Sequence, residues 1–288
     1  MGATETQSAG HIGPLHWHLA ERLVLECGFR PEYVTPRPPF QCKTVGSGSN
    51  TRHILEYGPQ FAIAGEQTII GGLKTKDVDV VVSLPGVGPC LAISVKGTLN
   101  AFRNLTNRME EAAGDCTNIH MAYPALAYGF LHVIRGNREA NISIRNDIAI
   151  FTSGSTSEQI VRYHDAMSRL TKRRDIRDDV SRYEAVALLL IEADGPGCGT
   201  IMNQFPVIDS PLRFEWFFPH LMDCYDLRFV YAAPALRSVT QRLEWDVDSQ
   251  LEQCSRTCFR HSSPGMTFTM DMSPRRVQLP SISRLGKL

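Results

Sequence analysis

The sequence has no run of about 18 apolar residues, which excludes a conventional membrane-spanning helix. It has no excess charge of either sign, since 30 Lys and Arg stand against 30 Asp and Glu in 288 residues. A polycation that binds nucleic acid indiscriminately is therefore excluded, and any phosphate contact must come from a local patch. Candidate patches are Lys172, Arg173 and Arg174 with Arg177, the arginines between 100 and 110, and Arg275, Arg276, Arg284 and Lys287 near the end. There is no disulfide framework either. The eight cysteines, at 27, 42, 90, 116, 198, 224, 254 and 258, are scattered through a chain too long to need staples, and a reducing cytoplasm is the expected setting. Cys254, Cys258 and His261 have no fourth ligand nearby, so a closed zinc site is not expected. Gly195, Gly197 and Gly199 follow neither a phosphate-loop nor a dinucleotide pattern and read as a loop. The first residues lack the basic and apolar regions of a secretory signal. Gly2 and Thr6 satisfy a loose myristoylation pattern, short enough to recur by accident.

What is present is ordinary globular material: 43% hydrophobic and 21% charged residues, enough to bury one large core. Leu15, Leu19, Leu23 and Val24 follow helical spacing up to Gly28, with His16 and His18 read as helix residues rather than ligands. The prolines between 35 and 40 interrupt regular structure. Gly46 to Asn50 reads as a turn before a short helix. Strands are expected over 61–70, 78–82 and 91–95, the last two joined by a Pro/Gly turn at 84–89. A helix is expected from Asn100 to a stop at Gly114, then helix or strand material closing the sheet over 125–134 and 148–151, a polar helix through Arg174, and a buried strand over 184–192. The aromatics of 214–218 and 225–231 suit core packing better than base stacking. Residues 1–257 are expected to form a single domain and 258–288 a Ser/Pro/Arg-containing tail or arm. The fold class is α/β, with a mixed central sheet flanked by helices.

The chemistry concentrates around residues 77–110. Successive strand side chains alternate faces, so Asp77 and Asp79 are expected on one face, and Ser94 and Lys96 on one face of the neighbouring strand. If the strands pair, an acid able to hold a hard divalent cation through oxygen meets an ammonium able to orient or deprotonate water. One carboxylate holds magnesium poorly. The position two before the lysine is Ser94, which carries no charge, and Glu110 lies on the following helix, sharing a face with Arg103 and Asn107. Glu66, on the preceding strand, offers an extra acid for a second metal, though it reads better as an ordinary polar strand residue.

This ordered set, Asp79 then Ser94, Val95 and Lys96 then Glu110, resembles the PD-(D/E)XK nuclease superfamily. More narrowly, it is similar to those type II restriction endonucleases in which the second acid has moved onto the next helix. The resemblance covers about residues 60–134 and extends to Thr98 and Leu99 after the lysine. It implies a restriction-endonuclease-like fold with a nuclease core at about 50–152. It implies Mg2+ bound by Asp79, Glu110 and the Val95 carbonyl, with Lys96 positioning water, and Asp77 as the reserve for Asp79. It implies contacts to double-stranded DNA from Asn100, Arg103 and Arg108, and a homodimer that cuts both strands of a specific site. The alternatives are a defence or repair nuclease with little sequence preference, or a non-catalytic DNA-binding protein on the same fold.

Overall fold

The computed structural model describes residues 9–98, 102–192 and 197–249, without the side chains of 9–12 and 103. The expected tail at 258–288 and the Cys254, Cys258 and His261 group lie outside the described residues. The centre is a five-stranded mixed sheet built from β1 (Val34–Thr35), β6 (Val80–Leu84), β7 (Gly88–Thr98), β8 (Ala127–Gly136) and β9 (Ala185–Glu192), in the order β1-β6-β7-β8-β9. β6 is antiparallel to both β1 and β7, while β7, β8 and β9 run parallel. Parallel neighbours need crossovers. α2 (Leu105–Ala122) links β7 to β8, and α3 (Glu158–Arg169) lies between β8 and β9.

Both faces of the sheet are covered, which explains why β7 to β9 read as nearly continuous apolar runs. Leu91, Ile93 and Val95 join Leu131, Ala187 and Leu189 in a core beneath α1 (Ala9–Leu25) and α4 (Phe217–Tyr225). Ala92, Tyr128, Phe130, Val186 and Leu188 join Cys116, Ile119, Ile160 and Tyr163 on the α2 and α3 side. Gly129 lets α4 approach β8, because a Cβ there would lie 2.7 Å from the Phe217 ring. The aromatics Phe214, Phe217, Phe218, Tyr225 and Phe229 are core residues.

Two hairpins stand beside the sheet: β2 (Phe40–Val45) with β3 (Arg52–Tyr57), and β4 (Gln67–Ile70) with β5 (Thr75–Val78). The segment after Asn50 is therefore a strand and not a helix, since β2 offers it a full antiparallel partner. The expected strand over 61–70 shortens to β4. The expected strand over 78–82 divides at Asp79, where the chain leaves the β4–β5 hairpin and enters the sheet. The helix after Lys96 runs through Gly114 to Ala122. Gly114 is exposed with nothing near its Cβ position, and its penalty of about 1 kcal/mol is outweighed by burial of Ala112, Cys116 and Ile119 beside it. Among the described residues no helix is long and apolar enough to cross a membrane.

The C-terminal part of the described chain closes α1. Gly28 ends that helix at φ +76, and a Cβ there would lie 2.1 Å from the Leu243 carbonyl oxygen. Trp245 Nε1 donates to the Val24 carbonyl at 2.7 Å and Arg242 to the Cys27 carbonyl at 3.0 Å. These bonds tie residues 242–245 to the last turn of α1 and to the segment just after it. They also fix the helix that carries His16.

Candidate active site

Asp79 sits at the break between hairpin and sheet. Val80 opposite Ile93 is the last pair of β6 with β7 at this end. Two residues further along β7, the Val95 N–H donates to Asp79 Oδ2 at 2.7 Å, so a side chain takes the bond that a longer β6 would have supplied. That hydrogen bond aims the carboxylate. Its other oxygen, Oδ1, lies 3.4 Å from His16 Nε2, delivered by α1. Glu66, just before β4, completes a group: one ligand atom each from His16, Glu66 and Asp79 lie within 4.8 Å of one another. Burial pushes the His16 pKa down, Asp79 and Glu66 pull it up, and Lys96 pushes it down; the net direction is below 6.5. The imidazole is thus neutral at pH 7, the form that ligates metals.

Lys96 follows Val95 on β7. Its Nζ lies 3.6 Å from Glu111 Oε1 on α2, and Arg108 donates to Glu111 Oε2 at 3.1 Å. Burial would raise the Glu111 pKa, but Lys96 and Arg108 outweigh it and hold the carboxyl below its usual range. Arg108, Glu111 and Asp115 occupy one face of α2, at steps of three and four, and line a cleft with Ser94, Lys96 and His132. Asp115 pairs with Lys76 at 2.6 Å. Ser94 hydrogen-bonds Tyr128 at 2.8 Å in the interior, and Thr98 meets His132 at 3.0 Å. Burial, with Arg108 and Lys96, pushes the His132 pKa down to about 3, so this ring is neutral.

The residues expected from sequence separate as follows. Asp79 and Lys96 come to the same seam of the sheet, on β7 and at its edge. Asp77 does not share the Asp79 face, because the chain turns at Asp79; it stays on β5, exposed, accepting from Thr68 Oγ1 at 2.5 Å. Glu110 is exposed, and its neighbour Glu111 is the helix acid that meets Lys96. One helical residue is a turn of about 100°, which decides which of two adjacent glutamates faces the strand. Val95 contributes its N–H to Asp79. Arg108 lies at the cleft, whereas Asn100 and the Arg103 side chain lie outside the described residues. Of the basic patch at 172–177, Arg173 is fully buried and bound to Glu184, so it is no phosphate contact. His16, expected to be a helix residue rather than a ligand, is the side chain that meets Asp79 Oδ1, and nothing local marks a helix histidine as the neighbour of an acid so far along the chain.

No family model, no curated protein and no solved structure matches this chain.

Proposed function

We propose that this chain is a metal-dependent endonuclease that hydrolyses phosphodiester bonds of duplex DNA, of the type II restriction kind. The observation that carries the reading is the meeting of Asp79 with β7 one residue from Lys96, with Glu111 on the following helix touching the lysine. An acid at the entry to β6, a lysine on the adjacent β7 and a helix glutamate correspond to the parts that the family resemblance requires, with Glu111 in the place expected for Glu110. The mixed sheet flanked by helices is compatible with a restriction-endonuclease-like fold.

The residues present fit a divalent cation. Asp79 Oδ1 and a Glu66 oxygen supply hard donors close together, and Mg2+ is the ion the family resemblance implies. A bound ion would polarise the scissile phosphate and lower the pKa of an attacking water. The chain's own groups do the rest. The Val95 N–H fixes Asp79; Lys96 holds a water or offsets charge on the phosphate; Glu111 orients Lys96; Arg108 binds a phosphate oxygen. Symmetric cutting of two antiparallel strands suits a homodimer with two-fold related sites, acting in the cytoplasm.

Incubation of plasmid with purified protein and Mg2+ is expected to give discrete fragments. A smear would favour a nuclease without sequence preference, and intact plasmid a DNA-binding protein without chemistry. Lys96→Ala is expected to reduce cleavage by about a hundredfold or more while DNA binding persists. Cleavage retained by Lys96→Ala would overturn the assignment.

A further inference from the structure

We propose that His16, Glu66 and Asp79 form a binding site for a divalent transition-metal ion of the Mn2+ class, in which the imidazole of α1 is a direct nitrogen ligand. The inference rests on the nuclease reading for the role of Asp79 and deepens it by naming the ion the same site selects. α1 converges here with the two ends of the β4–β5 hairpin, the segment before β4 and the turn between β5 and β6. Their ligand atoms lie within 4.8 Å of one another. Donors on opposite sides of an ion with bonds near 2.1 Å stand about 4.2 Å apart, so small side-chain rotations bring all three onto one centre.

His16 Nε2 supplies an independent pointer. It is shielded from solvent, lies 3.4 Å from Asp79 Oδ1, and makes no hydrogen bond. A shielded ring nitrogen that faces a carboxylate without hydrogen-bonding to it calls for an explanation, and a bound ion between the two is one of the standard ones. The donor set also matches. Two carboxylate side chains and an imidazole offer the oxygen and nitrogen donors that a divalent cation takes. Lys96, on the strand that Asp79 meets, is engaged by Glu111 at 3.6 Å. Chemistry then narrows the ion: Mg2+ prefers an all-oxygen shell, whereas one imidazole with two carboxylates suits first-row transition ions, of which Mn2+ stands nearest to Mg2+ in its preference for oxygen donors.

The test reads ion binding on the full chain without DNA. Calorimetric titration with MnCl2 and MgCl2 is expected to show one Mn2+ site tighter than the Mg2+ site. Electron spin-echo spectroscopy of the Mn2+ form is expected to show coupling to one directly bonded nitrogen. His16→Ala should remove that coupling and weaken Mn2+ by roughly tenfold or more while changing Mg2+ less. Glu66→Gln, at an exposed position that cannot unfold the chain, should also weaken Mn2+. Mn2+ bound with no nitrogen coupling, or equal Mn2+ affinity in His16→Ala, overturns the proposal. If the nitrogen-coupled site forms but plasmid stays intact with either ion, this inference stands and the nuclease reading falls; cleavage with no Mn2+ site at His16 gives the reverse.

Discussion

At the scale of single residues, the consequential difference is between Glu110 and Glu111. Both are helix glutamates near the right distance from Lys96, and spacing alone favoured the first because it shares a face with Arg103 and Asn107. The β7 strand instead meets the face formed by Arg108, Glu111 and Asp115. Glu111→Gln is expected to lower cleavage by about a hundredfold, through loss of the charge that orients Lys96, while Glu110→Gln stays within about twofold of the parent. Equal losses in the two variants would refute this division. The pH dependence follows from the depressed Glu111 pKa. A carboxyl with a lowered folded pKa is ionised, and its pairing fully present, above its unfolded value; the pairing is lost as pH falls through the folded pKa. The acid limb of activity contributed by Glu111 is therefore expected below the ordinary carboxylate range in wild type, measured as kcat/KM against pH.

At the scale of elements, the β4–β5 hairpin decides where Glu66 and Asp79 stand, since one precedes it and the other follows it. The hairpin has little sheet of its own and is held by α2. Asn118 Oδ1 accepts the Leu73 and Lys74 N–H groups at 2.8 and 3.0 Å, and its Nδ2 donates to the Lys74 carbonyl at 2.9 Å. The Lys76–Asp115 pair adds a second tie. Asn118→Ala removes three hydrogen bonds to backbone groups and is expected to destabilise by about 1–3 kcal/mol. That corresponds to a fall in Tm of about 2–4 °C per kcal/mol for a chain of this size. Hydrogen exchange over residues 71–78 should quicken, and metal affinity should drop although Asn118 touches no ligand atom. Unchanged exchange in the hairpin would show that α2 does not hold it.

The same element shows where sequence reading succeeds and where it stops. β6, β7, β8 and β9 were legible because buried parallel and central strands must be apolar along their length, and turn residues at 84–89 marked the antiparallel join. The break at Asp79 was not legible. A strand of alternating Asp and Val carries no local sign that its first half belongs to a hairpin and its second half to the sheet. Asp79 and Lys96 could be nominated because they are close in sequence and on adjacent strands. His16 could not, because its role depends on how α1 packs.

At the scale of the whole molecule, Glu184 joins parts that the sequence separates widely. It lies just before β9, fully buried. Its Oε1 accepts from Arg173 and from Arg228, each at 2.7 Å, while Oε2 accepts the Tyr128 N–H at 2.7 Å and lies 3.3 Å from His120 Nε2. The carboxylate thus ties α2, the start of β8, the loop after α3 and the turn following α4. Burial alone would raise its pKa, but His120, Arg228 and the Tyr128 N–H overcome that and hold it below 4.5. Glu184→Gln leaves two guanidinium groups buried without their counter-charge, and breaking a pair of this kind costs about 3–5 kcal/mol. The sign of the pH effect is fixed by the depressed pKa: the stabilisation is complete above the unfolded carboxyl value, about 4.3, and disappears as pH falls through the lower folded value. Urea unfolding should therefore show a large, pH-independent gap between wild type and Glu184→Gln from about pH 5.5 to 7.5, narrowing below about pH 4. A gap that widened on acidification would mean that the carboxyl is protonated in the folded chain at neutral pH, and that the two arginines are held by the backbone carbonyls they also reach.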